Sequence, residues 1–60
     1  MSLISVTEVA NFLGVKNQRV ERLERESLLT SKAKDSQGKP LFDRNEVEKY
    51  KEFAERVGGI

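Results

Sequence analysis

The side chains best equipped for chemistry lie together: Lys16, Asn17, Gln18, Arg19 and, a few residues on, Arg22. Asn and Gln amides carry a donor beside an acceptor, which pairs two-fold with the edge of adenine; the Arg fork matches guanine. A Lys ammonium at the entrance of such a cluster suits a phosphate. The means for catalysis are poor by contrast. With no His and no Cys, the chain lacks the usual general base, a thiol nucleophile and the soft metal ligands. Its carboxylates are mostly spread over solvent-facing helix positions. Gly14 and Gly38 are isolated and Gly58-Gly59 is terminal, so there is no Gly-rich loop to cradle a phosphate group. No enzymatic activity, no metal and no cofactor are expected.

To act as a unit the cluster must be carried on a helix, and the flanking pattern supplies one. Ser5 with Glu8 three residues on reads as a capping box. Val6, Val9, Ala10 and Leu13 then follow the spacing of one buried helical stripe, with Leu3 or Ile4 placed to pack back as a staple. Gly14 ends this helix, because it accepts the left-handed backbone of a C-cap. Val15 is expected to plug the gap before a second helix, from about Asn17 to Glu26. There Val20 and Leu23 point one way; Gln18, Glu21, Arg22 and Arg25 point roughly the other, with Asn17 and Arg19 on opposite flanks. A stripe this narrow suits a helix held by a few contacts and exposed elsewhere. Leu28 and Leu29 are expected to enter the core.

Residues 30–41 read as a loop rich in turn residues. Within it, Lys32-Ala33-Lys34 and Lys39-Pro40-Leu41-Phe42 are expected as two short strands around Asp35-Ser36-Gln37-Gly38, a hairpin or wing. Pro40 cannot donate to a ladder, which places its strand at an edge. The competing reading of this stretch is a disordered basic linker. Asp43 with Glu46 reads as a second capping box, opening a last helix with Val47, Tyr50, Phe53, Ala54 and Val57 as its apolar stripe. Along it, Glu48 and Glu52 repel while Lys51 and Glu55 attract weakly. The order helix, turn, helix, hairpin, helix defines the expected fold: mainly α, a winged helix-turn-helix with a short β-hairpin wing and a C-terminal helix, as one domain over residues 1–60.

Sixty residues allow one domain at most, and one without Cys has no disulfide to staple it. The net charge of +1 argues little, but its distribution argues more. From Gly14 to Arg44 the balance is +3, and each flank carries −1. This segment spans the second helix and the hairpin, and a positive excess there is what a phosphate-facing side requires. Lys32, Lys34 and Lys39 are candidates for backbone phosphates or the adjacent minor groove. The first helix start, Ser5 to Thr7, offers N–H groups to a further phosphate. Against this stands simple pairing of Arg19, Arg22 and Arg25 with Glu21, Glu24 and Glu26. That pairing is the better reading for Arg25, and groove contact the better one for Arg22. No run approaches the roughly 20 apolar residues of a membrane span, and no basic region precedes Leu3-Ile4. A cytoplasmic place on nucleoid or plasmid is expected.

These residues resemble the MerR-like winged-helix superfamily, including its short excisionase-type domains. Val6-Thr7-Glu8-Val9-Ala10, then Leu13-Gly14-Val15, looks like that family's first helix and turn. Val20-Glu21-Arg22-Leu23-Glu24-Arg25-Glu26-Ser27-Leu28-Leu29 looks like its recognition helix and the Leu-Leu that leads into the wing. Gly38 to Phe42, followed by Asp43-Arg44-Asn45-Glu46-Val47, looks like the return strand and the next helix. The resemblance covers about residues 4–54. It implies DNA binding with the second helix in the major groove, with Asn17, Gln18, Arg19 and Arg22 on the reading helix and Lys34 and Lys39 in the wing. Three positions depart: Lys16 stands where a capping Ser is common, Arg19 where Thr is frequent, and Pro40 where a basic residue is frequent. The family's effector domain and long dimerisation helix have no counterpart in these residues, so no small-molecule effector is expected within them.

The expected function is sequence-specific binding of double-stranded DNA, as a transcription regulator, an excision factor or a plasmid or chromosome segregation (partition) protein. One such module buries only about 600–1,000 Å² on DNA. A homodimer, at least on DNA, and repeated or palindromic half-sites are therefore expected. Its contact would come from the exposed side of the last helix or from Leu3, Ile4 and Phe12. The alternative class is a protein–protein interaction or self-association module on the same fold. The ending Val57-Gly58-Gly59-Ile60 is compatible with an N-terminal domain of a longer protein.

Overall fold

The boundaries of the first two helices follow from caps that can be named residue by residue. The computed structural model describes residues 2–58, which form β1 (Leu3–Ser5), α1 (Val6–Leu13), α2 (Asn17–Arg25), β2 (Ser31–Lys34), β3 (Pro40–Asp43) and α3 (Arg44–Arg56). At the start of α1 the Ser5 hydroxyl accepts from the Glu8 N–H at 3.2 Å, and the Glu8 carboxylate accepts from the Ser5 N–H at 3.1 Å. Both halves of the capping box are made. Gly14, at φ 76°, closes α1 by donating its N–H to the Ala10 carbonyl. Val15 is partly buried and packs on the core, as its place in the turn suggests. Lys16 caps α2 with its backbone alone, since a Lys side chain has no acceptor to offer. The helix accordingly begins at Asn17.

The strands form one antiparallel sheet in the order β1-β3-β2. Ile4 lies opposite Phe42, and Ala33 opposite Leu41, with an irregularity between Ser31 and Ala33. The basic stretch is thus a hairpin and not a linker. Two expectations are corrected here. The Leu3-Ile4 segment is a strand, too short to show a period of its own. It covers the far side of β3, which is therefore central and not an edge. Pro40 is tolerated because it stands first in β3, opposite Lys34, while β1 pairs only with Leu41 to Asp43.

Val9, Ala10, Leu13, Val20, Leu23, Leu29, Phe42 and Val47 form a single core, with Ile4, Val6, Phe12, Val15 and Tyr50 packed against it. Phe42 is the largest fully buried side chain, and its strand, β3, packs against α1 and α3. Three more expectations are corrected. Leu29 is buried, but Leu28 is 54% exposed. Ser27 adopts φ 63°, and the turn it makes sends the two consecutive leucines to different sides. On α3 the buried arc is Val47, Tyr50 and Ala54, while Phe53 (60%) and Val57 (66%) face outward, since each sits at the edge of the arc. The second capping box is not made: the Asp43 carboxylate caps the helix by accepting from the Asn45 N–H at 2.9 Å, one residue short of the box's partner, and Glu46 reaches across to Lys32 instead.

The charges of α3 also pair differently. Within the helix, among the described residues, Arg44 pairs with Glu48 and Arg56 with Glu52, which sets an Arg beside each of the like-charged glutamates. Lys51 lies over the Phe12 ring, 4.6 Å from its centre, a cation–π contact between α1 and α3. No helix among the described residues is long and apolar enough to cross a membrane.

Candidate nucleic-acid interface

Helix α2 touches the body of the molecule through Val20 and Leu23, both essentially fully buried. Apart from half-buried Glu24, its other residues are exposed. At about 100° per residue they fall on two flanks, and the surface grooves separate the same way. Lys16, Gln18, Arg19 and Arg22 line a shallow groove beside Val15. Asn17, Glu21, Glu24 and Arg25 line a larger cleft of about 820 Å³, which the start of α1 and the hairpin residues Asp35, Gln37 and Lys39 complete. The candidate reading residues are thus brought onto one helix but not onto one surface.

Each has a distinct environment. The Asn17 amide donates to the Thr7 hydroxyl at 3.1 Å. Thr7 holds Asn17 in place and is committed through its oxygen, while the Asn17 carbonyl and one N–H are left to act. Arg22 Nε lies 3.2 Å from Glu26, with both side chains about half exposed or more. The pairing expected for Arg25 therefore falls on Arg22. An exposed pair of this spacing is worth only about 0.3–0.5 kcal/mol, little enough to be exchanged for a base edge. It engages Nε and leaves both terminal amino groups of the guanidinium. Gln18 and Arg19 are exposed beside it.

The hairpin tip is a built loop. Asp35 accepts from the backbone N–H groups of Gln37 (2.8 Å) and Lys39 (2.9 Å), and Gly38 turns the chain at φ 79°. These hydrogen bonds, that of Lys39 foremost, hold the Asp35 carboxyl below its ordinary value of 3.8. The loop presents Lys39 to the cleft, and Lys34 ends β2 exposed. Lys32 is placed otherwise. Its ammonium is 2.9 Å from Glu46 of α3; the hydrogen bond and charge of that carboxylate raise its pKa above 10.5. The three hairpin lysines do not form one patch.

Arg25 and Gln37 were not among the sequence-derived candidates, yet both line the cleft. For Arg25 the signal was present: it lies eight residues after Asn17 and four after Glu21, hence near their flank. Among the described residues no group of three or more His, Cys, Asp or Glu side chains is placed to hold a metal ion. Comparison with family models, curated proteins and solved structures found no match to this chain.

Proposed function

We propose that the chain binds double-stranded DNA sequence-specifically as a winged helix-turn-helix module, with α2 in the major groove and the β2–β3 hairpin as its wing. It would act without catalysis, as a transcription regulator, an excision factor or a partition protein. The observation that carries this reading is the exposure of α2: two apolar residues seat it, and Lys16, Gln18, Arg19 and Arg22 share one open groove. The major groove admits a helix presented this way, and these side-chain types match base edges and phosphates. The order helix, turn, helix, hairpin, helix agrees with such a layout, and so does Lys39 on the ordered hairpin tip.

So small a reader requires a second copy on repeated or palindromic half-sites. Ile4 and Phe12 are packed on the core, whereas Phe53, Val57 and Leu28 are exposed; the α3 side is the better contact. The same exposed apolar residues favour the second reading, a protein–protein interaction or self-association module. Titrating duplex DNA at two salt concentrations separates the two. DNA binding should weaken steeply with salt, log K falling by about 0.9 per phosphate contacted for each unit of log salt. No binding by the folded chain at about 50 mM salt, a condition that favours phosphate contacts, overturns the main reading.

A further inference from the structure

The cleft-facing flank of α2 carries a carboxylate where a phosphate-lined groove disfavours one. Glu21 is exposed and follows Asn17 by four residues, so the two stack along the same flank, and both line the cleft shared with the hairpin. Its natural partners leave it alone. Arg22 is paired with Glu26, and among the described residues Glu21 has no ion pair with Arg25 or any other cation. A helix inserted in the major groove would bring this charge against base edges. Guanine offers two acceptors there and thymine one, and all of them repel a carboxylate. Adenine offers a donor, but beside the N7 acceptor. Cytosine itself offers only its N4 amino donor, which has the paired guanine O6 on one side and no acceptor on the other, whereas the adenine donor lies between its own N7 and the thymine O4.

We infer that Glu21 is a specificity-determining residue that accepts from a cytosine N4 amino group and excludes the other bases at that position. The inference rests on the DNA-binding reading and adds a contact of opposite sign to the basic ones. Lys16, Arg19 and Lys39 attract any duplex; Glu21 weakens binding to every duplex that lacks the cytosine. Its contribution is discrimination and not affinity, which is how a repulsive element narrows the choice of partner.

The test is selection from a random duplex pool with the 60-residue chain, its Glu21→Ala variant, and Glu52→Ala, which removes the same charge from α3. Circular dichroism confirms that each is folded. The wild type should recover a motif with a cytosine that Glu21→Ala no longer selects, while the remaining positions persist. Duplexes altered at that base should bind Glu21→Ala about ten- to a hundred-fold closer to the best site than they bind the wild type. Glu52→Ala should recover the wild-type motif. A cytosine retained by Glu21→Ala, an equal loss of affinity for all duplexes, or a wild-type motif with no cytosine overturns the assignment of Glu21 alone. A folded wild type that enriches no duplex overturns the DNA-binding reading together with it.

Discussion

Asn17 donates its side-chain amide to the Thr7 hydroxyl across 3.1 Å, so the first turns of α1 and α2 are joined through two candidate DNA contacts. Fixing an amide in this way restricts which base edge it can meet. Thr7→Val removes the acceptor and keeps the shape. Because the bond is exposed, the melting temperature should change little, at the low end of the roughly 0.5–1.5 kcal/mol of a typical hydrogen bond. The preference for one base in a selected motif should relax, and Thr7→Ser should restore it. A large stability loss with an unchanged motif would make the contact purely structural.

Arg22 and Lys34 should separate by kind of contact. Arg22→Ala should cost about 1–3 kcal/mol on its preferred duplex and far less on others, as expected of a two-fold base contact. Lys34→Ala should weaken all duplexes alike and reduce the salt slope by about one. Equal losses on every duplex for Arg22→Ala would assign Arg22 to the phosphates. Binding titrations on matched and altered sites read both.

Two turn residues with positive φ should respond in opposite directions. Gly14 at φ 76° has open space around its Cα, so Gly14→Ala introduces strain without a clash and should destabilise by about 1–2 kcal/mol. Ser27 at φ 63° already bears such strain, and Ser27→Gly should stabilise by roughly 0.5–1 kcal/mol. Thermal unfolding checks both. At this chain length each kcal/mol moves the midpoint by about 4–8 °C.

Stability should fall at both extremes of pH for identifiable reasons. The Asp35 carboxyl has a lowered pKa in the folded chain, so its contribution is present above the ordinary 3.8 and is lost as pH falls through the folded value. Lys32 has a raised pKa, so its contribution is present below 10.5 and is lost as pH rises through the folded value. Asp35→Asn should therefore lower the melting temperature near neutrality and converge with wild type in acid. Glu46→Gln should do the corresponding thing in alkali. Melting curves across pH measure both.

Phe53 and Phe42 should part company although both are aromatic. Phe42 is 1% exposed, and Phe42→Ala should cost about 3–5 kcal/mol, enough to unfold a chain this small. Phe53 is 60% exposed, and Phe53→Ser should leave the monomer's melting temperature nearly unchanged. If α3 supplies the contact between copies, Phe53→Ser should also remove cooperative binding to duplexes with two half-sites. Sedimentation and two-site titrations report this, and unchanged cooperativity would place the contact elsewhere.

What the sequence determined by itself is local. Ser5 and Glu8 close a capping box within four residues, Gly14 takes the left-handed turn, and Val20 and Leu23 seat α2. Each depends on neighbours a turn away, where spacing along the chain is spacing in the molecule. The tertiary structure decided the rest. Leu3–Ser5 became a strand only because β3 offered it a free side, which also made Pro40's strand central. Lys32 left the hairpin's basic set because Glu46 of α3 came within 2.9 Å. Leu28 turned outward and Leu29 inward because Ser27 changed the direction of the chain. The polar residues of α2 fall on two flanks by helical geometry, but only the packing of the α1 start and the hairpin beside one flank made it the wall of a cleft. Strand pairing and the partner of an exposed charge depend on groups distant along the chain, and the left-handed backbone at Ser27 is one that a Ser does not announce, so no local pattern carries them.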